Sequence, residues 1–168
     1  MAQSLSLHPL SRRSLLGGVA LVMGVGLCGA TAACGQEQPR FAYRLTDGQW
    51  RSRLTPMQYY VLRQEGTERP FTHPLNNEHR RGRFSCAGCD LPLFSSSTKF
   101  DSGTGWPSFH TPLPRAVGTT RDFTLGFPRT EVHCARCGGH LGHVFDDGPA
   151  PSGNRYCMNG AALTFAVV

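Results

Sequence analysis

Four of the seven cysteines stand in two C-x-x-C pairs, Cys86-Ala-Gly-Cys89 and Cys134-Ala-Arg-Cys137, with 44 residues between the pairs. Each pair can form a tight turn that directs two sulfurs to one point, and two turns complete a tetrahedron. Four thiolates with no open coordination position are typical of structural rather than catalytic zinc. The alternatives are two redox dithiols, or disulfides formed in an oxidising compartment. Because a redox pair would open a helix and both pairs here stand in glycine-containing turns, we predict one structural zinc ion per chain.

A fifth cysteine, Cys157, stands alone in the segment NRYCMNG. If the segment is a strand, Arg155, Cys157 and Asn159 share one face, while Tyr156 and Met158 turn to the other. The pattern predicts that the second set is buried and that the first faces a cleft. A guanidinium and a carboxamide beside the thiol favour the thiolate, and therefore a nucleophile. The alternative is a buried, inert cysteine, which is the common fate of a free one.

Two further segments carry side chains suited to the same chemistry. GGHLGHVFDDG places His140 and His143 just after the second cysteine pair. Since four cysteines already complete a metal site, both histidines are free to activate a thiol or to supply a proton. DSGTGWPSF is a loop that displays Trp106. A tryptophan is more often part of the core, but on such a loop it can offer a flat apolar surface to a small ligand.

One segment, residues 54–70, has the features of a helix. Thr55 is a candidate N-cap, Pro56 suits the first helical position, and Gly66 is a natural stop. The apolar residues expected on its buried face are Met57, Tyr60 and Val61.

The rest of the domain is predicted to be strands separated by turns, because glycine and proline recur every few residues and the apolar runs are short. The segments interpreted as strands are GRFSC, TEVHC, GHVFDD, RYCMNG and ALTFAVV. The expected fold is mainly β, with antiparallel strands, a short N-terminal helical segment and a four-cysteine zinc site that staples the domain. We assign this domain to residues 46–168.

Residues 1–33 resemble a bacterial signal peptide. Arg12 and Arg13 precede a glycine-rich, moderately apolar segment that ends in small residues, and the arginine pair indicates the twin-arginine (Tat) export route. The alternative is an uncleaved membrane anchor, since Leu15–Ala33 is nearly long enough to span a bilayer. Five glycines in that stretch favour the signal peptide. We expect a protein exported from a bacterial cytoplasm, either periplasmic or anchored on the periplasmic side of the membrane.

The cleavage site decides the fate of Cys34. ATA at residues 30–32 fits a signal-peptidase site, whereas TAAC at residues 31–34 is a poor form of the box in which a cysteine is lipidated. Residues 34–45 are interpreted as a flexible tether in either case.

The positive charge does not indicate a nucleic-acid partner. The chain has 17 basic and 11 acidic residues and a formal charge of +6. Removal of residues 1–33 takes away Arg12 and Arg13 and no acid, which leaves 15 basic against 11 acidic residues, or +4. A zinc ion held by four thiolates lowers the charge to about +2. The one notable basic cluster, HRRGR at residues 79–83, has no interleaved aromatic residues, so we expect solvated surface there.

Several multi-residue motifs together resemble the methionine-R-sulfoxide reductase family, the B type. They are CAGCDLPLFSSSTKFDSGTGWPSF, RTEVHCARCGGHLGHVFDDGPAPSG and RYCMNGAALTF, in the family's order, and the similarity runs from about Gln49 to Phe165. The resemblance implies two antiparallel sheets, a structural zinc ion on the four paired cysteines and a nucleophile at Cys157. It also matches Trp106 to the residue that holds the sulfoxide methyl group. The remaining matches are the paired histidines, His140 and His143, and Asn159.

The implied reaction is reduction of the R epimer of protein-bound methionine sulfoxide. Cys157 attacks the sulfoxide sulfur, a histidine, preferably His143, helps to protonate the departing oxygen, and Cys157 becomes a sulfenic acid. His140 and Asn159 would help to stabilise charge on the oxygen, and Arg155 would stabilise the thiolate. An external thiol, such as a thioredoxin-like partner, would then regenerate the enzyme. We expect a monomer that acts on oxidised proteins or peptides and binds no nucleic acid.

The sequence departs from many family members at Thr104, where they carry a second, resolving cysteine. Outside the zinc ligands and Cys157 only Cys28 and Cys34 remain. Cys28 lies in the predicted signal peptide, so direct reduction by an external thiol is the simplest expectation, and a disulfide between Cys34 and Cys157 is the competing one. Two other functions are compatible with the sequence: a zinc-stabilised module that binds a peptide or nucleic acid, and a degenerate reductase that binds oxidised peptides without turnover.

Overall fold

The computed structural model describes residues 41–168, which form two α-helices, nine β-strands and three short 3-10 helices. The helices are α1 (Asp47–Arg53) and α2 (Pro56–Gln64), and the 3-10 helices are Pro74–Asn77, Ser96–Thr98 and Gly160–Ala162. The strands are β1 (Gly82–Cys86), β2 (Pro92–Ser95), β3 (Lys99–Phe100), β4 (Ser108–Phe109), β5 (Val117–Asp122), β6 (Arg129–Cys134), β7 (His140–Phe145), β8 (Arg155–Met158) and β9 (Leu163–Val167). The predicted signal peptide, with Cys28, and also Cys34 lie outside the described residues.

Both helices begin at a capping box. The Thr55 side chain accepts a hydrogen bond from the Gln58 amide, and the Gln58 side chain accepts one from the Thr55 amide, which confirms Thr55 as N-cap and Pro56 as the first helical residue. α2 ends at Gln64, followed by Glu65 in the left-handed region. The helix α1 was not predicted, although Thr46 and Gln49 form the same Thr-x-x-Gln box. This capping box is the feature of the sequence from which α1 could have been predicted.

The predicted buried face of α2 is partly wrong. Met57 and Tyr60 are 49% and 46% exposed, whereas Tyr59, Val61 and Leu62 are buried. Apolar residues occupy nearly every position from 57 to 62 except Gln58, so periodicity cannot choose between faces. The choice is made by the surface beneath the helix, where α2 packs on β7 and on the 3-10 helix Gly160–Ala162.

The strands form two antiparallel sheets, as predicted. One has the order β2-β1-β9 and the other the order β3-β4-β8-β7-β6-β5. All five segments interpreted as strands lie on β1, β6, β7, β8 and β9. The larger sheet places β8 between β4 and β7, so that Cys157 pairs with Ser108 on one side and with His143 on the other.

Aromatic side chains join the two sheets. Phe84 of β1 and Phe94 of β2 pack on Phe109 of β4, with ring centroids 5.0 Å and 4.3 Å away. All three rings are fully buried. Each such ring contributes about 2–3 kcal/mol on burial, so this cluster holds the small sheet against the edge that supports β8.

Residues 41–45, which fall in the predicted tether, pack against the domain. The Tyr43 amide donates to the Arg136 carbonyl at 2.9 Å, and the Tyr43 ring lies 5.8 Å from that of Trp50. The Phe41 ring meets the His133 ring edge-on at 5.6 Å. These residues therefore belong with the domain rather than with a flexible linker, while residues 34–40 lie outside the described residues.

Within residues 41–168, neither helix has the length and apolar character needed to cross a membrane.

Candidate active site and metal centre

The four paired cysteines come together at one point. Their sulfurs all lie within 4.8 Å of one another, with Cys86 Sγ 3.7 Å from Cys137 Sγ and Cys89 Sγ 3.5 Å from Cys134 Sγ. All four side chains are buried. The arrangement could hold a metal ion, and Cys157 is not part of it.

Each pair forms a turn closed by its own backbone. Cys86 ends β1 and Cys134 ends β6, and their carbonyls accept hydrogen bonds from the amides of Asp90 and Gly138 at 2.8 Å and 2.9 Å. Asp90 and Gly138 both have positive φ, which reverses the chain after the second cysteine. Because β1 and β6 belong to different sheets, a metal held here would tie the sheets together.

Cys157 lies on a cavity of about 130 Å³, with Trp106, His143 and Asn159 on the same cavity. The residue is partly buried rather than sealed in the core. Gly142 of β7, which also lines the cavity, has no space for a side chain, because a Cβ there would lie 2.1 Å from the Cys157 carbonyl oxygen. The predicted convergence of Cys157, Trp106, His143 and Asn159 is therefore observed.

The ionisation of Cys157 differs from expectation. Burial raises the pKa of the thiol above its ordinary value, and a hydrogen bond with Thr104, the charge of Arg155 and a hydrogen bond with Ser108 lower the pKa only in part. Arg155 favours the thiolate as expected, but burial outweighs the neighbouring groups and the pKa of Cys157 is raised in the free protein. The Asn159 carboxamide takes no part, since it is bonded elsewhere.

His143 is held by a carboxylate that sequence reasoning did not single out. His143 Nε2 lies 2.8 Å from Asp122 Oδ2, and the same oxygen accepts a hydrogen bond from Arg129 at 2.5 Å. Burial lowers the pKa of His143 below its ordinary value, while the hydrogen bond to Asp122 raises it and the charges of Arg129 and His140 lower it further. The bond to Asp122 fixes the ring orientation and tautomer.

His140 belongs to a neighbouring cavity of about 300 Å³, which shares His143 and Arg129 with the Cys157 cavity. His140 Nδ1 lies 2.8 Å from Glu131 Oε1, and its Nε2 is a buried atom with no hydrogen-bond partner among the described residues. The two histidine rings are 5.3 Å apart. Of the predicted pair, His143 is therefore the one that reaches the cavity of Cys157.

Glu68 connects two residues of the cavity wall, Trp106 and Asn159. Its carbonyl accepts from Trp106 Nε1 at 3.2 Å and its amide donates to Asn159 Oδ1 at 3.0 Å. Its buried carboxylate accepts from the amides of Gly160 and Ala161 at 2.5 Å and 2.8 Å. Asn159 Nδ2 donates to the Leu141 carbonyl. Glu68 thus holds the tryptophan, the asparagine and the 3-10 helix after β8 in one arrangement.

The loop that carries Trp106 depends on Gly105. Its φ is +93°, and a Cβ there would lie 2.8 Å from the Phe71 backbone nitrogen, whose amide donates to the Gly105 carbonyl. A larger residue would be strained and would displace this contact.

Arg155 lies beside Cys157 but outside the cavity. Its guanidinium makes two 2.8 Å hydrogen bonds to the Asp147 carboxylate and sits 4.4 Å from the centre of the Phe145 ring. It therefore acts on the thiol chiefly through its charge, which lowers the pKa of Cys157.

Thr104 occupies the position next to the thiol, with its Oγ1 3.8 Å from Cys157 Sγ. Behind it, Ser102 Oγ lies 2.8 Å from Thr104 Oγ1 and 2.7 Å from Ser108 Oγ. A chain of hydroxyl groups thus leads to the Cys157 sulfur.

Comparison with known proteins decides the family. A family model described as the SelR domain matches residues 54–167. A peptide methionine sulfoxide reductase MsrB of Agrobacterium fabrum is 57% identical over 124 residues, which cover 73% of this chain and 92% of the relative. One from Thiobacillus denitrificans is 57% identical over 121 residues, covering 71% and 92%. The chloroplastic peptide methionine sulfoxide reductase B1 of Arabidopsis thaliana is 56% identical over 128 residues, covering 76% and 63%.

The chain belongs to the methionine sulfoxide reductase B family. The resemblance inferred from the motifs is confirmed, as are the two antiparallel sheets and the clustering of the four cysteines.

Three residues of this methionine sulfoxide reductase B site were missed by sequence reasoning. Asp122, Glu68 and Arg129 stand in segments whose local pattern shows nothing unusual, and only a partner far along the chain reveals each one. Size alone would also mislead, because a larger cavity, about 520 Å³, lies between residues 41–50 and the second cysteine turn. The smaller cavity is the one that combines a thiol, an imidazole and an indole.

Proposed function

We propose that this chain is an enzyme that reduces the R epimer of protein-bound methionine sulfoxide to methionine, with Cys157 as the nucleophile. One observation carries the proposal: Cys157 opens into a small cavity walled by Trp106 and His143, in a chain more than half identical to peptide methionine sulfoxide reductases. The choice of the R epimer rests on the family resemblance.

The oxygen moves from substrate to enzyme. Cys157 Sγ attacks the sulfoxide sulfur, the sulfur–oxygen bond breaks, and the oxygen ends on Cys157 as a sulfenic acid. Methionine leaves reduced by two electrons, and the cysteine is oxidised by two. Two equivalents of an external thiol then return Cys157 to the thiol and yield one disulfide and one water.

His143 supplies the proton to the departing oxygen. Because its Nε2 is occupied by Asp122, its Nδ1 is the atom left for that proton. The carboxylate stabilises the imidazolium, as in other carboxylate–histidine pairs. Asn159 is part of the cavity wall, His140 positions the wall from the neighbouring cavity, and Arg155 lowers the pKa of Cys157 through its charge.

Trp106 selects the substrate. Its indole N–H is bound to the Glu68 carbonyl, so the ring is held in place with an apolar surface on the cavity. A methyl group on sulfur fits against such a surface, whereas a charged or bulky group would not be accommodated in about 130 Å³.

The metal at the four cysteines is zinc in this proposal. Sulfurs bound to zinc at about 2.3 Å in a tetrahedron lie about 3.8 Å apart, and the observed separations of 3.5 Å and 3.7 Å suit that ion. With four protein ligands the ion would stabilise the fold and would not contact substrate.

The proposal also covers the cellular location of the protein and the identity of its reductant. The arginine pair of residues 1–33 supports Tat export to the periplasm, with Cys34 as a candidate lipid anchor, and export folded would allow zinc to be bound in the cytoplasm. A thioredoxin-like protein is the proposed reductant, and the enzyme works as a monomer.

A coupled thiol-oxidation assay with each sulfoxide epimer tests the function. We expect turnover of the R epimer and none of the S epimer. Binding of both oxidised peptides without turnover would instead support a degenerate reductase. No binding of either would leave the zinc-stabilised binding module.

Mass spectrometry after one equivalent of substrate tests the regeneration step. We expect a sulfenic acid on Cys157, trapped by a dione reagent, and a linked Cys34–Cys157 peptide would overturn direct reduction by an external thiol. The variant Thr104→Cys is a positive control, since its sulfur would stand where Oγ1 now lies 3.8 Å from Cys157 Sγ, and it should form an internal disulfide.

A further inference from the structure

We propose that a groove beside the reactive cavity binds an apolar side chain next to the oxidised methionine of a polypeptide substrate. We name it the Phe127 groove, after the aromatic residue on its outer edge. The inference rests on the proposed function and adds to it a class of preferred substrates, namely sulfoxides flanked by apolar residues.

The reactive cavity is too small to hold more than the end of one side chain. Its volume of about 130 Å³ corresponds to about four water molecules. A polypeptide that places its sulfoxide against Cys157 must therefore run over the rim, so the surface around the rim is in contact with the residues on either side of the sulfoxide.

The Phe127 groove meets that rim. It has a volume of about 460 Å³, and it shares Phe145 and Arg129 with the reactive cavity. Its apolar lining residues are Phe127, Pro128, Val144 and Phe145, and its polar ones are Arg129, Thr130, Asp146 and Asn154. Phe127 is 54% exposed and Phe145 is 37% exposed. Exposed aromatic rings that continue a ligand cavity offer apolar area to whatever the cavity binds.

The charges in the groove are few and mostly paired. Arg129 is bonded to Asp122, and the remaining ionisable side chain on the groove is that of Asp146. The cavity on the other side of His143 is different, because it is lined by Glu65, Asp122, Glu131 and His140. Because its lining is rich in ionisable side chains, that second cavity is better suited to water than to an apolar side chain. The Phe127 groove is therefore the more favourable place for the apolar side chain.

The side chain expected in the Phe127 groove follows from the kind of segment in which methionine stands in substrate proteins. Methionine is among the residues most often buried in folded proteins, so the segments that contain it contribute to apolar cores. When such a segment is unfolded and its methionine oxidised, the flanking apolar side chains are exposed. In an extended chain these side chains lie about 3.3–3.6 Å per residue from the sulfoxide, within reach of a groove that begins at the cavity wall.

Peptide kinetics test this assignment. The substrates are free methionine sulfoxide and two pentapeptides with a central R-epimer sulfoxide, one with phenylalanine and one with serine on both sides. We expect the unaltered enzyme to favour the phenylalanine peptide about tenfold in kcat/KM, the effect of partly burying one ring. Phe127→Ser should reduce the preference to about twofold, and Phe127→Leu should retain most of it.

Phe123→Ser is the matched control, because Phe123 is 60% exposed in the same β5–β6 turn but does not line the groove. This variant should keep the preference of the unaltered enzyme. Equal rates for the two peptides, or an equal loss of preference in both serine variants, would overturn the groove while leaving the proposed function standing. Failure to reduce free methionine sulfoxide and both peptides would instead overturn the proposed function.

Discussion

Cysteines stand in two regions of the chain that differ in their access to solvent and ligands. The four sulfurs at the ends of β1 and β6 are buried, face one another and are closed off by their own turns. Cys157 opens into a cavity and is surrounded by groups from other segments. In the proposed function the same side chain is a metal ligand in one place and a nucleophile in the other, and what differs is access and neighbouring charge rather than the residue.

The difference also concerns how each site is built. Each metal turn is formed within a few residues, by hydrogen bonds from Asp90 to Cys86 and from Gly138 to Cys134. The reactive cavity draws Glu68, Trp106, Asp122, His143 and Cys157 from separate segments. Damage at the metal centre should therefore be global, because it separates the sheets, whereas damage at Cys157 should be local.

Reciprocal serine substitutions give the largest expected effects. Cys157→Ser should lower kcat/KM at least about 10³-fold, because the nucleophile is lost, and should leave the melting temperature and the bound metal unchanged. Cys86→Ser should lose the metal and most of the folded population, since structural zinc contributes more free energy than a domain of this size can spare. Enzyme assays, metal analysis and thermal melts followed by circular dichroism measure these outcomes.

The contrast between the two sites would fail if Cys86→Ser stayed folded without metal, or if Cys157→Ser retained turnover.

Variants of the two histidines test which of them belongs to the Cys157 site. His143→Gln should lower kcat/KM by about 10²–10³-fold, the usual value of a general acid. His140→Gln should cost about tenfold or less, because His140 lies on the neighbouring cavity and acts through His143. Steady-state kinetics of the two variants at one pH make the comparison, and a larger loss at position 140 would reverse the assignment.

Substitution of Glu68 tests whether the shape of the Cys157 cavity depends on the hydrogen bonds that Glu68 makes. Glu68→Ala leaves two buried amides, those of Gly160 and Ala161, without an acceptor and should lower the free energy of unfolding by about 2–4 kcal/mol. Activity should fall as well, with Glu68→Gln intermediate, because the carboxylate anchors the Glu68 backbone, whose carbonyl and amide hold Trp106 and Asn159. Urea unfolding and kinetics measure both, and the matched control is Arg69→Ala, an exposed neighbour that should change neither. A Glu68→Ala protein as stable and active as the unaltered one would show that these hydrogen bonds are dispensable.

The smallest effect concerns pH. The charged or titratable groups around His143 among the described residues are Asp122, Arg129, Glu131, His140 and Cys157. The proposed reaction needs Cys157 as thiolate and His143 as imidazolium. The pKa of Cys157 is raised and that of His143 is lowered. In that order of pKa values, the acid limb of kcat/KM against pH follows His143 and the alkaline limb follows Cys157.

Asp122→Asn removes the group that raises the pKa of His143. The acid limb should therefore move to lower pH, and the plateau should fall by the same factor, about tenfold for a move of about one pH unit. Glu131→Gln, which removes a carboxylate from His140 instead, should move the limb less. An acid limb that stays in place in Asp122→Asn, or moves to higher pH, would contradict the role of this carboxylate.

Sequence reasoning recovered most of the fold and part of the site. Strand segments were recognised because turn residues bound short apolar runs, and α2 because Thr55 and Pro56 mark a helix start. α1 was missed despite its own capping box, and Met57 and Tyr60 were misplaced because periodicity cannot choose a face on a helix that is apolar nearly all round. The effect of Arg155 on Cys157 was foreseen, but the larger effect of burial on the pKa of the thiol was not, because burial is not visible in residue order.

What the sequence determined by itself is local: the two C-x-x-C turns, the alternation that turns Cys157 away from Met158, and the family. Covalent spacing and backbone geometry set these features within a few residues. Only the tertiary structure decided that His143 rather than His140 reaches the thiol, that Asp122 and Glu68 hold the site, and that an apolar groove adjoins it. These depend on strand register and packing between segments far apart in the chain, and contacts of that kind leave no trace in local order.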